Sequence, residues 1–369
     1  MPTVDMRLAS LKELSSCSPM RIALIAPPFI SVPPKRYGGT ELFLAELASG
    51  LQERGVELIL YTNGASQLPV PTKWLYEKEE WPLSGEVEAN LKALNHAAWA
   101  VQDAIGNSDI IHMNNAPGLT LSRFSGDLPL VYTVHHAYEP VLSKFYELFP
   151  RVSFVTISEF QRQRLPVPRS RTIHHGIEMS KYRFNKEKEP YLCFLGRVAP
   201  VKGPHLAIEV AKRANVPLKI AGEIQPLYRD YWENSVKPQV DGRFIEYVGE
   251  VGLDEKNELL GNAMAMLFPI QWDEPFGLVM IEAMACGTPV LALSGGSVEE
   301  IVREGVSGHI RHSVSELAGC AQHLELVPEI VRQYAETLFS RERMVNDYIE
   351  FYSDILGETY HTEAEPIVA

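Results

Sequence analysis

Arg21-Ile-Ala-Leu-Ile-Ala-Pro-Pro28 opens the part of the chain that decides the fold. Arg21–Ala26 is short and almost entirely apolar, the pattern of a parallel strand buried on both faces. Pro27 and Pro28 end it, and a loop with Pro33, Pro34, Tyr37, Gly38 and Gly39 follows. Leu44, Leu47, Ala48 and Leu51 then recur at helical spacing, with Gly55 as the stop. Glu57–Tyr61 reads as the next strand. Strand, loop, helix and strand in this order begin a doubly wound α/β sheet. Further strands are expected at Ile110–Met113, Leu130–Val134, Phe154–Ile157 and Thr172–His174.

The pattern restarts at Tyr191-Leu-Cys-Phe-Leu195. Strands near Leu218–Ala221, Phe244–Val248, Ala265–Phe268 and Val290–Leu293 alternate with helical stretches. Lys181–Pro190, charged and apolar-poor, reads as a linker. The chain of 369 residues is long enough for two domains. The expected division is an extension over 1–20, a first domain over 21–185, a second over 186–340 and a frayed tail over 358–369. Pro328–Leu356 reads as one amphipathic helical segment, with Pro328 in its first turn.

Hydrophobic content of 46% lets each half bury a core. A formal net charge of -13 argues against nucleic acid as a partner and against an anionic membrane surface. Arg162, Arg164, Arg169 and Arg171 form the notable basic run; a solvated loop is favoured there over peripheral membrane association. Cys17, Cys193, Cys286 and Cys320 are widely spaced without C-x-x-C, so neither a zinc site nor a disulfide framework is indicated. Cys193 and Cys286 lie in apolar stretches and read as small core residues. No apolar run reaches the ~18 residues that span a bilayer. Residues 1–20 lack a signal-peptide core. A cytoplasmic location is expected.

Ligands of open α/β sheets sit at the carboxyl ends of the strands, so two facing domains would share one cleft. Gly196-Arg-Val-Ala-Pro-Val-Lys-Gly203 follows a strand and leads into a helix at Pro204–Arg213. Arg197 and Lys202 near a positive helix end repel unless an anion joins them. A diphosphate would satisfy all three groups; the alternative is two solvated surface cations.

Trp272-Asp-Glu-Pro-Phe-Gly-Leu-Val-Met-Ile-Glu-Ala-Met-Ala-Cys-Gly-Thr-Pro-Val290 places Glu274 and Glu282 eight residues apart. Glu274 sits in a loop. Glu282 lies in an apolar run that reads as a buried helix, where a carboxylate needs hydrogen-bond donors. Sugar hydroxyls would serve; so would a backbone N–H or a basic side chain. The backbone of Phe276, Gly277, Leu278 and Val279 at the helix start can hold a phosphate or sugar oxygen. In this reading Glu274 accepts from a sugar hydroxyl and Glu282 from a ribose diol.

Gly38-Gly39 permits close backbone approach to a ligand. It is not G-x-G-x-x-G, which lowers the dinucleotide-dehydrogenase reading. His135 and His136 follow an apolar strand, where a histidine can donate to a sugar hydroxyl, shuttle a proton near neutral pH, or be purely structural. Ser294-Gly-Gly-Ser297 is a candidate anion nest, with helix capping by Ser297 as the other reading. No D-x-D occurs, nor an obvious metal-ligand spacing. No metal or other cofactor is expected.

Together these segments resemble the retaining family 4 glycosyltransferases of the GT-B fold, from Arg21 to about Tyr352. Glu274 through Val290 is similar to that family's E-x7-E signature. Gly196-Arg197 with Lys202-Gly203 resembles its diphosphate-binding pair, Gly295-Gly296 with Glu299 its G-G-x-x-E element, and Val32–Glu41 a glycine-rich first loop. The resemblance implies two Rossmann-like domains facing a central cleft, the first for the acceptor and the second for a nucleotide-sugar. A last helix of about 341–357 would cross back onto the first domain.

It implies roles as well. Arg197 and Lys202 would hold the leaving diphosphate, where negative charge develops. Glu282 would hold the ribose and Glu274 the donor sugar. Val251 matches the backbone contact to the base. His135 matches a histidine near the donor's primary hydroxyl, with His136 beside it as a rival. The implied catalytic set is His135, Arg197, Lys202 and Glu274. Gly38, Gly39, Gly196, Val251, Phe276, Gly277, Leu278, Val279 and Glu282 complete the donor site. Asn114, Asn115 and Tyr138 lie in first-domain loops expected to meet the acceptor.

The expected activity is metal-independent hexosyl transfer, with retention, from a UDP- or GDP-sugar to a hydroxyl of a glycan, lipid or small molecule. Retention would follow a front-face course in which the departing phosphate takes the acceptor's proton. Phe268-Pro-Ile-Gln-Trp272 departs from the family's Pro-Ser and leaves the sugar preference open. An inactive nucleotide-sugar binding protein, an epimerase and a phosphorylase of the same fold stay as alternatives.

Overall fold

The computed structural model describes residues 19–363 except Tyr37, Pro82 and Ser84. Residues 1–18 of the extension expected over 1–20 and residues 364–369 of the tail expected over 358–369 lie outside the described residues, as does Tyr37. The first half contains β1 (Arg21–Ile25), α1 (Gly39–Glu53), β2 (Glu57–Thr62), β3 (Thr72–Trp74), α2 (Glu86–Ala104), β4 (Ile110–Met113), β5 (Leu130–Val134), α3 (Pro140–Tyr146), β6 (Ser153–Thr156), α4 (Glu159–Arg164) and β7 (Ser170–Thr172). These strands form one parallel sheet in the order β3-β2-β1-β4-β5-β6-β7.

The second half contains β8 (Glu189–Leu195), α5 (Pro204–Ala214), β9 (Leu218–Ala221), β10 (Ile245–Gly249), α6 (Leu253–Asn262), β11 (Ala263–Phe268), α7 (Leu278–Ala285), β12 (Val290–Leu293), α8 (Val298–Ile301), β13 (Gly308–Arg311) and α9 (Val314–Gln322). Its parallel sheet runs β10-β9-β8-β11-β12-β13. Both sheets reverse direction beside their first strand, between β1 and β4 and between β8 and β11. Helices connected to either side diverge there, and the carboxyl ends are left open for a ligand.

The segment read as one helix over Pro328–Leu356 is two, α10 (Pro328–Phe339) and α11 (Arg341–Glu363). Ser340 between them is extended and pairs with Ile177. Ile177 N–H donates to Phe339 O at 2.9 Å, and Arg341 N–H to Ile177 O at 2.9 Å. The two chain crossings between the domains are thus hydrogen-bonded to each other. Gly176 is required beside them, because a Cβ would overlap the Ser340 carbonyl.

α11 covers the first sheet with Met344, Val345, Tyr348 and Tyr352. The Tyr352 hydroxyl bonds His112 Nδ1 at 2.7 Å, His112 Nε2 bonds Thr133 Oγ1 at 2.7 Å, and Tyr348 bonds the same Thr133 at 3.0 Å. This buried polar chain fixes α11 in one register, since each group would be costly unpaired. α11 also continues past Gly357, where fraying was expected.

Lys181–Pro190 is not a loose linker. Lys188 Nζ donates to Gly261 O at 2.8 Å, Cys286 O at 3.1 Å and Thr288 Oγ1 at 2.8 Å, and Tyr182 is buried. Lys188 turns its charge inward onto carbonyls, which composition does not reveal. Two arginines of the basic run are paired with carboxylates within the fold. Arg162 pairs with Glu159 at 2.6 Å, Arg171 with Asp354 at 2.7 Å, and Arg164 stacks 3.5 Å from the Phe160 centroid. Among the described residues no helix is long and apolar enough to cross a membrane.

Candidate active site

A cleft of about 700 Å³ lies between the carboxyl edges of the two sheets. From the first half, Gly38, Gly39, His135 and His136 line it; from the second, Gly196, Arg197, Lys202, Val251, Glu274, Phe276 to Val279 and Glu282. Gly39 faces Leu278 of α7 across the gap; a Cβ there would stand 3.7 Å from Leu278 Cδ1.

The cationic loop is shaped by its neighbours. After β8 the chain turns at Gly196, and Lys202 ends a short 3-10 turn, Pro200–Lys202. Gly203 follows at φ 74, and its missing Cβ leaves room for the Pro269 carbonyl. Gln271 braces the loop, its N–H on Val201 O at 2.8 Å and its side chain on Pro200 O at 2.8 Å. Arg197 Nη1 donates to Gln225 Oε1 at 3.3 Å, with its guanidinium 5.9 Å from the Tyr228 ring centroid.

Both carboxylates are lysine-paired. Glu274 Oε2 accepts from Lys202 Nζ at 2.5 Å and from the Trp272 indole N–H at 2.9 Å. The Trp272 face lies 4.6 Å from the same ammonium. Glu282, 1% exposed in α7, accepts at Oε1 from Lys256 Nζ at 2.6 Å and from the Tyr182 hydroxyl at 2.8 Å. Of the donors open to Glu282 at the level of sequence, a basic side chain is therefore present. Lys256 and Tyr182 both line the cleft and were not singled out. Lys256 sits in the charged run Asp254-Glu255-Lys256, which looks like an ordinary solvated helix face.

Ser294–Ser297 is not among the residues lining the cleft. Ser297 N–H donates to Glu274 O at 2.9 Å and its hydroxyl to Phe276 O at 3.0 Å, so the segment braces the Glu274 loop. The Ser297 side chain does not cap α8. Glu299 bonds Ser294 Oγ at 2.8 Å, while its neighbour Glu300 reaches the other domain.

Hydrogen bonding distinguishes the two adjacent histidines. His136 uses both nitrogens, Nδ1 donating to Ala137 O at 2.7 Å and Nε2 accepting from the Tyr146 hydroxyl at 2.5 Å. His135 uses one: its Nε2 meets Asn114 Oδ1 at 2.9 Å. Asn114 Nδ2 donates to Ile25 O at 3.2 Å and His112 O at 3.4 Å, which fixes Oδ1 as an acceptor. His135 therefore carries its proton on Nε2 and keeps an Nδ1 lone pair.

Burial, with a smaller push from His136, lowers His135 to about 3. It is neutral at physiological pH and suited to accept from a hydroxyl rather than to shuttle protons. The pH–rate profile is expected to lack an inflection from His135 between about pH 5 and 8. An inflection near pH 6.5 that disappears in His135→Phe would overturn this.

Asn114 thus orients His135 instead of lining the cleft. Asn115 Oδ1 caps the 3-10 turn Ala116–Arg123 through Gly118 N–H at 2.9 Å, and Tyr138 is 48% exposed. Neither lies among the cleft residues. Among the described residues no group of three or more His, Cys, Asp or Glu side chains could hold a metal ion.

Comparison with known proteins agrees with this geometry. A family model described as Glycosyltransferase Family 4 matches residues 37–181, and one described as Glycosyl transferases group 1 matches residues 177–323. Spore coat protein SA of Bacillus subtilis is 23% identical, over 90% of this chain and 99% of that one. The structure of a glycosyltransferase involved in avilamycin A biosynthesis superposes with a TM-score of 0.71 at 24% identity, covering 92% of this chain and 98% of that one. Anabaena HepE in complex with UDP-glucose superposes with a TM-score of 0.72 at 18% identity, covering 91% and 100%. With a family 4 segment leading, a group 1 segment following and two parallel Rossmann-like sheets facing one cleft, the chain belongs to the glycosyltransferases of the GT-B fold.

Proposed function

We propose that the protein moves a hexosyl group, with retention, from a nucleoside-diphosphate sugar to a hydroxyl acceptor, without a divalent metal. The observation that carries this is the convergence of Arg197, Lys202, Glu274, Glu282 and His135 on one interdomain cleft. Arg197 and Lys202 hold the diphosphate, where charge grows as the bond from anomeric carbon to phosphate oxygen breaks. Their charge supports the metal-free reading. Glu274 yields the Lys202 ammonium to the diphosphate and accepts from sugar hydroxyls. Glu282, already oriented by Lys256 and Tyr182, accepts from the ribose. The acceptor oxygen bonds the anomeric carbon on the face the phosphate leaves, and its proton passes to the departing phosphate oxygen. A UDP-sugar donor is supported by the UDP-glucose bound to the Anabaena relative. The second domain holds the donor in this reading, and the first presents the acceptor.

A thermal-shift panel of UDP-, GDP-, ADP- and TDP-sugars tests it. One donor should stabilise the protein by about 2.7 kcal/mol at about 100 times its Kd. Transfer from that donor should persist in EDTA and give a product of unchanged anomeric configuration by NMR. A panel without any shift, an inverted product, or loss of turnover in EDTA overturns the reading. Epimerised donor or phosphate-dependent glycan cleavage would identify a different reaction.

A further inference from the structure

His175 has no part in the transfer scheme above, yet it lines the cleft while being only 4% exposed. Its backbone is clamped at the domain crossing: Arg343 Nη2 donates to His175 O at 2.9 Å and to His174 O at 2.8 Å. Its ring is caged from both domains, by Phe43 at 4.8 Å and by the edge of Phe276 at 4.9 Å. It lies nearly parallel to His135, at 16° with centroids 5.8 Å apart.

His175 Nδ1 is sealed from solvent without a hydrogen-bond partner. The edge open to the cleft is therefore the Nε2 edge. A neutral imidazole carries one N–H. Sealed on Nδ1 that N–H would be an orphaned buried donor, whereas the Nε2–H tautomer seals only a lone pair there, and orphaned N–H groups are the rarer of the two. The proton belongs on Nε2, facing the cleft. His135 is in the complementary state, its N–H spent on Asn114 and its Nδ1 lone pair left over. Burial keeps both rings neutral, holding His135 near 3 and His175 well below its usual value.

The stacked rings offer one acceptor and one donor. A hydroxyl both donates and accepts, so one oxygen lying near the planes of both rings would satisfy the two edges together. We propose that His175 and His135 together grip one hydroxyl of the donor sugar, His175 Nε2–H donating to the oxygen whose proton goes to His135 Nδ1. His175 is then a specificity-determining residue, and donors carrying that hydroxyl are selected over their deoxy analogues. This rests on the donor-binding reading above.

Two measurements test it. The first needs no substrate: imidazole nitrogen chemical shifts of the free protein should report the Nε2–H tautomer for both His135 and His175. An Nδ1–H tautomer at His175 overturns the proposal whatever the protein's activity. The second uses the donor found by the panel and its singly deoxygenated analogues. The native protein should discriminate against one analogue by about 10–100-fold in kcat/KM, since that analogue loses the hydrogen bonds to both histidines. His175→Phe should lose about tenfold with the parent donor, keep its rate with that analogue, and bind the free nucleoside diphosphate unchanged. His175→Gln, which restores a donor N–H, should recover part of the preference and guards against a folding defect in the phenylalanine variant. Equal losses with parent and all analogues would mean that His175 only packs, and would overturn the proposal while the transferase reading stands. A protein that uses no nucleotide-sugar at all fails both.

Discussion

Lys202→Ala is expected to lower the rate of hexosyl transfer by about 10²–10³-fold, the effect of removing one preorganised donor from a developing anion. Lys202 has little freedom to be replaced by a neighbour. Its side chain is 18% exposed, its loop is braced by Gln271, and its ammonium lies between Glu274 and the Trp272 face. Removing it has a second consequence. Glu274, 6% exposed, keeps the Trp272 N–H but loses its counter-charge. Breaking a buried pair from one side costs about 3–5 kcal/mol. The double variant Lys202→Ala/Glu274→Gln removes the stranded charge. Its melting temperature should recover towards the native value, while kcat stays low. Steady-state release of nucleoside diphosphate and thermal unfolding measure the two effects separately. A kcat within about tenfold of native in Lys202→Ala would remove Lys202 from the leaving-group site.

Glu300→Ala is expected to open the molecule. Glu300 on α8 spans the domains: its carboxylate accepts from the backbone N–H of Glu159 at 2.7 Å and of Phe160 at 2.5 Å, and pairs with His174 Nε2 at 3.0 Å. The two N–H groups begin α4 and have no intrahelical acceptor. Burial raises the Glu300 pKa, but the bonds from His174 and the two backbone N–H groups outweigh it and hold it below the usual value. Bonds to a charged group are worth about 1.5–3 kcal/mol each, so the net loss of even one of the three should move the closed-to-open ratio by about 10–100-fold.

The radius of gyration in solution scattering should rise, and KM for the donor should increase by about tenfold. The pH dependence has a definite sign. With the closed-state pKa depressed, the Glu300 contribution is fully present above the ordinary value of 4.5 and is lost as pH falls through the lower one. The ionisation of Glu300 itself therefore contributes no change in closure from pH 6 to 8. Unchanged scattering and KM in Glu300→Ala would show that other contacts hold the domains.

What could be read from sequence follows from where the information lies. β4, β5, β9 and β12 are apolar runs between turns, and their ends agree with expectation to the residue. β3 (Thr-Lys-Trp) and β13 (Gly-His-Ile-Arg) were not anticipated, because edge strands this short carry no periodic signal. β6 and β7 begin one and two residues earlier than read, within the usual fuzziness of boundaries. The break at Ser340 is invisible locally, since Phe-Ser-Arg-Glu suits a helix; Ile177, far away in sequence, imposes it.

The site divides the same way. Arg197 with Lys202, and Glu274 with Glu282, each lie within one short contiguous segment marked by its own glycines and prolines, so each could be found. Lys256, Tyr182 and His175 reach the cleft from three separate segments. Nothing near them in the chain distinguishes them from a surface lysine, a core tyrosine and a structural histidine. Asn114 was singled out for the acceptor and instead orients His135, a role visible only once β1, β4 and β5 are side by side.

The crossing of α11 onto the first sheet also has a bearing on biosynthesis. Met344, Val345, Tyr348 and Tyr352 form one wall of the first domain's core, and their partners His112 and Thr133 are wholly buried beneath them. A ribosome that has released the first domain's seven strands has therefore not yet released its covering. During translation the second domain is complete first, and the half that begins the chain is the last to close. Until then α1 shows an apolar face to solvent or to a chaperone, for as long as the intervening residues take to be made.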